Sequence, residues 1–304
     1  MPEAHVDQLN SGETLLSAEA AARVKHLELF ARSRVESHFK GAHRSRLKGH
    51  STDFLQHRPY LPGDDIRGLD WRVYARSDRL VIREREEFTT LDVNIILDCS
   101  GSMNFGSGAM TKFDFARHCA ALLTHLVISQ RDRVGIAFAS DRVLSFVKPG
   151  AGGKHRAEMF RQLLAREPAG ETDLSACTRQ LLQFAAKRSL FVFFSDCYQD
   201  PAALGRSLGI LSRAGHDLIV YQVFDPAEAD LPYNGYTLFR DVENGQIDPA
   251  DPKEIRSAYR EVFRRHTRDL KSIAMSYGVE FHAIAVTDDW DTAMAQLLHE
   301  RATR

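Results

Sequence analysis

Asp98, Ser100 and Ser102 occupy alternate positions in the run Asp92–Met103, and Gly101 between the two serines permits a tight backbone turn. A carboxylate and two hydroxyls so spaced gather several oxygen atoms around one point, the environment that hard divalent cations such as Mg²⁺ require. Small polar residues at a strand end are also ordinary loop chemistry, so the triplet by itself does not decide between the two. Two further stretches extend the pattern. Thr172, within Gly170–Leu174, offers a hydroxyl just ahead of an amphipathic segment, and Asp196 closes the apolar run Leu190–Asp196. The chain thus supplies three oxygen-bearing loops, two of them at the carboxyl ends of apolar strands, the edge at which open α/β sheets bind ligands.

Other motifs resemble catalytic ones and fail on particular residues. Pro149–His155 follows a strand and opens a helix as a phosphate-binding loop would, but Lys148 stands at the first glycine position and His155 replaces the magnesium-binding hydroxyl. No Gly-x-Ser-x-Gly surrounds Ser100 or Ser102. A phosphatase that forms an aspartyl-phosphate needs a second carboxylate two positions after the first, and Ser100 cannot act as that acid and base. Asp64, Asp65 and Asp70 form an acidic group, yet Arg67, Arg72 and Arg76 lie among them and suit a structural ion network. No catalytic residue and no organic cofactor is expected.

Positioning these residues requires a sheet. Val93, Ile95, Ile96 and Leu97 form a short, mostly apolar, β-branched run, the signature of a strand buried on both faces. From residue 91 strands and helices alternate, the mark of an α/β doubly wound, mostly parallel sheet. Strands are expected at 134–138, 143–147, 190–195, 218–224 and 279–286. Helices are expected at 112–130, 154–167, 173–187, 201–214, 253–277 and from the last strand to about 302. Asn244-Gly245 between alternating runs suggests a hairpin. The division expected is a flexible tail over 1–14, an N-terminal helix with a small β-rich elaboration over 15–90, and the main domain over 91–304. The helix of the second part runs from Ser17 to about Phe39, and a strand is expected at 80–86.

Hydrophobic residues make up 43% of the 304 and charged residues 27%, as in ordinary globular chains. A formal net charge of −1 argues against a chain that coats nucleic acid. Charge is nevertheless uneven. Residues 21–50 carry eight Lys or Arg against Glu28 and Glu36, while an insertion over 225–252 holds seven acids against Arg240 alone. The basic stripe could bind nucleic acid, although such runs are more often solvated faces. No apolar run approaches the ~20 residues of a membrane span, and the N-terminus lacks the pattern of a secretory signal, so a cytoplasmic location is expected. Cys99, Cys119, Cys177 and Cys197 form no Cys-x-x-Cys pair and read as buried apolar residues.

Taken together, Asp98, Ser100, Ser102, Thr172 and Asp196 resemble a complete metal-ion-dependent adhesion site of a von Willebrand factor type A (vWA) domain. The stretch Arg58–Arg67, continuing through Asp70-Trp71 and Ala75-Arg76, resembles the signature of the bacterial DUF58 family of such proteins. The likeness covers roughly residues 49–290. It implies that Ser100, Ser102 and Thr172 ligate Mg²⁺ directly while Asp98 and Asp196 act largely through waters, with Mn²⁺ or Ca²⁺ as substitutes. It also implies a protein-binding adaptor whose partner supplies an Asp or Glu to the metal, that partner being a MoxR-type AAA+ ATPase or its client. The rival readings are a Mg²⁺-dependent hydrolase and a nucleic-acid-binding module using the basic helix.

Overall fold

A computed structural model describes residues 54–62, 64, 69–85, 90–171, 173–185, 188–240 and 246–289. The expected tail, the basic helix over 17–39 and the closing helix after the last strand lie outside the described residues, as does Thr172.

In chain order the elements are β1 (Phe54–Pro59), α1 (Trp71–Ser77), β2 (Val81–Arg85) and β3 (Asp92–Asp98). A 3₁₀ turn at Gly101–Asn104 leads to α2 (Lys112–Ser129), β4 (Arg133–Ala139), β5 (Val143–Gly150), α3 (Gly153–Ala165) and α4 (Leu174–Phe184). Then come β6 (Leu190–Ser195), α5 (Pro201–Arg213), β7 (Asp217–Phe224), α6 (Pro226–Asp230), β8 (Thr237–Arg240), β9 (Ile247–Ala250), α7 (Pro252–Ser276) and β10 (Glu280–Ala285).

Six strands form the central sheet in the order β10-β7-β6-β3-β4-β5. All neighbours run parallel except β5, which closes one edge antiparallel to β4. This is the expected doubly wound, mostly parallel α/β fold. From β3 the chain builds outward through β4 and β5 on one side, then returns to place β6, β7 and β10 on the other. The switch in winding direction falls between β3 and β6, where parallel sheets open a crevice beyond their carboxyl ends.

Side-chain alternation divides the core into two layers. Val93, Ile95 and Leu97 of β3 pack with α2 and with Met159, Phe160 and Leu163 of α3. Ile96 faces the opposite layer with Phe191 and Phe193, against Leu174 and Leu181 of α4, Leu204 and Leu208 of α5, and Leu270 of α7. Gly205 and Gly209 let α5 and α7 approach closely: a Cβ on Gly205 would strike Ile273, and one on Gly209 would come within 2.5 Å of the Tyr277 ring.

Before the main sheet, β1 and β2 pair antiparallel with Pro59 opposite Val81. Between them the segment expected to be β-rich contains α1, and Asp70 caps it by accepting from the backbone N–H groups of Arg72 and Val73 at 3.0 and 3.3 Å. Asp70 also meets His57 Nε2 at 3.0 Å. Its carboxylate therefore terminates a helix, a structural duty. The loop that imitates a phosphate site is structural too, since His155 Nε2 sits 2.6 Å from the Val134 carbonyl.

Candidate metal centre

The end of β3 and the turn after it fold over one another. Asp98 Oδ1 accepts from the Ser100 N–H at 2.9 Å, and its Oδ2 accepts from Ser195 Oγ at 2.5 Å. Ser195 ends β6, the neighbour of β3, so this bond ties the two strand ends at the switch point. Ser100 Oγ lies 3.1 Å from Ser102 Oγ, and both side chains are buried with Asp98.

The loop carrying Thr172 is drawn to the same place through its backbone. Gly101 N–H donates to the Gly170 carbonyl at 2.7 Å, and Ala169 N–H donates to that of Cys99 at 2.8 Å. Beyond Thr172, Asp173 N–H donates to Ser140 at 2.9 Å, and the Asp173 side chain caps α4 by accepting from Ala176 N–H. Gly170 has φ +86°, a left-handed conformation that favours glycine in this turn. The described geometry thus brings Asp98, Ser100, Ser102 and the two flanks of Thr172 together.

Asp196 follows β6 directly and is buried. Burial, and then the negative charge of Asp196, push the Asp98 carboxyl up to about 7. A buried carboxyl whose ionisation is opposed by a neighbouring acid, next to two buried hydroxyls, is a donor set that a cation would relieve. Among the described residues no group of three His, Cys, Asp or Glu side chains is placed to hold a metal. The donors that do converge are hydroxyls with two acids, and this oxygen-only set fits a hard ion such as Mg²⁺.

The sequence reading missed Lys112. Its side chain is wholly buried at the first position of α2, and its ammonium donates to Asp196 Oδ2 at 2.8 Å and to Glu228 Oε1 at 2.6 Å. The same ammonium lies 4.8 Å from the centre of the Tyr198 ring. Burial alone would lower the lysine's pKa, but Asp196 and Glu228 outweigh it and the net direction is upward. Part of the negative charge around Asp196 is therefore met from inside the chain. A cation at a helix N-terminus opposes the helix dipole, an oddity that by itself does not say the ammonium is buried.

Lys112 also links the strand-end loops to the acidic insertion. Glu228 belongs to a capping box on α6, reaching back to the Asp225 N–H at 2.9 Å while Asp225 accepts from Ala227 N–H at 2.7 Å. Asp225 is buried and accepts from Ser107 twice, from N–H at 2.8 Å and from Oγ at 2.6 Å. Asp230 pairs with Arg260 at 3.2 Å, and Asp251 caps α7. Four of the seven insertion acids thus hold neighbouring elements in place. All four cysteines are free and buried; burial pushes every thiol up, Cys177 to about 12, which leaves them unreactive.

A sheet wound outward from β3, with serines and acids gathered at its switch point, defines a doubly wound α/β protein with an oxygen-rich cluster at its crevice. The chain belongs to the family described as "Protein of unknown function DUF58", which matches residues 56–269. It is 27% identical over 278 residues to the uncharacterized protein Rv1480 of Mycobacterium tuberculosis, covering 89% of this chain and 86% of that one. Among solved structures it resembles an aerotolerance-related membrane protein from Bacteroides fragilis, with TM-score 0.52 and 16% identity, over 70% of this chain and all of that one. The conserved hypothetical protein BatB from Bacteroides thetaiotaomicron gives TM-score 0.50 at the same identity and coverage. These two likenesses bear on the fold. Among the described residues no helix is long and apolar enough to cross a membrane.

Proposed function

We propose that this protein is a metal-dependent protein-binding adaptor and not an enzyme. In this reading Asp98, Ser100, Ser102, Thr172 and Asp196 hold Mg²⁺, for which Mn²⁺ or Ca²⁺ can substitute. When bound, the ion supplies an electrophilic position that a carboxylate of another protein can fill. The partner is a MoxR-type AAA+ ATPase or its client, in the assembly or maturation of protein complexes in the cytoplasm.

The observation that carries the proposal is the convergence of buried Asp98 with the paired Ser100 and Ser102 hydroxyls, beside Asp196, whose charge opposes ionisation of Asp98. The chain's own residues perform definite tasks there. Ser195 and the Ser100 N–H fix both oxygens of Asp98, so its orientation is set before anything binds. Lys112 holds one oxygen of Asp196 and reduces the net charge of the site. A weakly charged donor set leaves the ion short of negative ligands and receptive to an external acid. No second carboxylate follows Asp98 at the spacing needed for phosphoryl transfer, which supports binding over turnover.

The test is capture of a purified MoxR-type ATPase by immobilised wild-type, Asp98→Ala and Ser100→Ala proteins, each with Mg²⁺ or with chelator, their folding checked by circular dichroism. The proposal expects retention only by wild type in Mg²⁺. Equal capture by all three, with and without chelator, contradicts it.

A further inference from the structure

Next to the metal centre lies a cavity of about 620 Å³ whose wall includes Ser102. Aromatic rings dominate the remainder of the wall: Phe105 from the strand-end loop, Tyr198 after β6, Tyr233 and Phe239 from the insertion, and Tyr259 from α7. Glu228 also borders the cavity, but its charge is engaged by Lys112. Arg240, the insertion's lone cation, lies exposed on the wall.

This cavity is built rather than incidental. Arg256 of α7 donates to the Leu231 carbonyl at 2.9 Å and to that of Tyr233 at 2.6 Å, pinning the segment that carries Tyr233. Tyr233 and Phe239 meet edge to face with centroids 6.2 Å apart. On the opposite side, Asp225 clamps the loop that follows Phe105 through Ser107. The wall is therefore largely set before a ligand arrives, which lowers the ordering cost of binding.

A second observation concerns the hairpin formed by β8 and β9. Its strands bury little against the rest of the chain: Leu238 is 67% exposed, Ile247 55% and the nearby Tyr236 77%. A two-stranded hairpin is marginal in water, and a cluster of exposed apolar side chains at the mouth of an aromatic cavity marks a contact surface.

We propose that the cavity takes a large apolar or aromatic side chain from an extended segment of a partner protein whose Asp or Glu reaches the ion beside Ser102. This rests on the adaptor reading and deepens it by stating what the partner must present: an acid for the metal and, within a few residues, an apolar side chain. Continuity of the cavity with Ser102 sets the juxtaposition. Arg240 and the cation make the surface complementary to an acidic segment, and Leu238 with Ile247 covers the apolar residue from outside. The insertion, whose role the sequence left undecided, supplies the specificity wall in this arrangement.

The probe is a set of fluorescein-labelled decapeptides of Gly and Ser with one Asp. Each carries Phe at one to four residues on either side, or Ala at the same place, and binding is followed by anisotropy in millimolar Mg²⁺ and in EDTA. At least one spacing should bind ten-fold or more tightly than its Ala counterpart in Mg²⁺, in line with burial of a phenyl ring. Leu238→Ala and Phe239→Ala should remove that advantage while their Mg²⁺ isotherms, and the unfolding midpoint of Leu238→Ala, stay close to wild type. Leu238 guards the test, because truncating an exposed side chain leaves the fold in place. If Phe and Ala peptides bind alike in Mg²⁺, the cavity assignment fails and the metal reading survives. If the Phe advantage persists unchanged in EDTA, the pairing of acid with apolar residue fails, and the metal reading with it. Binding of free N-acetyl-phenylalanine amide as tight as that of the peptides would assign the cavity to a small molecule and overturn the proposal.

Discussion

Replacing Lys112 by Met tests whether a buried ammonium stands in for part of the metal's charge. Methionine keeps the unbranched apolar stem and removes only the charge, so packing changes little. What remains is Asp196, buried, and Glu228, mostly buried, with their shared partner gone. Breaking a buried ion pair from one side costs about 3–5 kcal/mol, because the surviving charge has no compensation. The metal-free variant should therefore lose about that much in urea unfolding, with little change in the m-value. Magnesium should then act differently on the two proteins. Wild type already meets Asp196 with Lys112, whereas in the variant the ion takes over that neutralising part. Mg²⁺ affinity should rise at least ten-fold in Lys112→Met, about 1.4 kcal/mol. The linked stabilisation, about 2.7 kcal/mol when the ion is at a hundred times its dissociation constant, should appear at lower Mg²⁺ than in wild type. Paired urea titrations across Mg²⁺ concentrations, with calorimetric isotherms, measure both effects. A metal-free variant within 1 kcal/mol of wild type, or identical Mg²⁺ isotherms, would refute the reasoning.

Three other outcomes follow from the same geometry. Because the Asp98 pKa rises from 3.8 to about 7 on folding, the native state binds the extra proton between those values. Metal-free stability therefore falls across that window with increasing pH, by up to about 1.4 kcal/mol per pH unit, and Asp98→Asn should abolish that component in urea titrations at pH 4 to 8. Asp225 holds the loop around Ser107 and caps α6, so Asp225→Ala should cost about 3 kcal/mol in urea unfolding and speed amide exchange in residues 105–111. Gly205→Val would drive a branched side chain into Ile273 where α5 meets α7, lowering stability by about 1–3 kcal/mol or more; unfolding midpoints near wild type would contradict that packing.

Much of the fold is legible in the residue pattern because the central strands are buried on both faces. Val93–Leu97, Leu190–Phe194 and Leu218–Val223 are apolar runs, interrupted only by Asn94 and Gln222, and each lies in the sheet. The hairpin expected at Asn244-Gly245 is present as β8 and β9 on either side of that dipeptide. Helix α1 was hidden inside a segment read as β-rich: Trp71–Ser77 is short, has no buried residue of its own and owes its start to Asp70. Local capping, not amphipathic period, makes that helix, and period is what a sequence scan detects.

The site is legible to the extent that its chemistry is local. Asp98, Ser100 and Ser102 lie within one turn, so their convergence follows from spacing. Asp196 is harder to place from spacing, because its neighbourhood depends on β6 lying beside β3, and Thr172 lies outside the described residues. Lys112 and Glu228 were invisible for a plainer reason. Their partners stand 84 and 116 positions away along the chain, and nothing in a lysine opening a helix says that its ammonium is buried. The acidic insertion was undecidable in the same way: the roles of Asp225, Glu228, Asp230 and Asp251 as caps and ion pairs depend on partners that only the fold brings near.

The central claim is that Ser100, Ser102 and Thr172 grip one divalent cation with Asp98 and Asp196 behind them. Crystals grown in Mn²⁺ and measured at the manganese absorption edge test it directly. The account predicts a single strong anomalous peak in contact with the Ser100 and Ser102 hydroxyls, with Thr172 Oγ completing the same shell and Lys112 still on Asp196. Crystals saturated with Mn²⁺ that show no peak there, or that hold Thr172 turned away from Ser100, would contradict it.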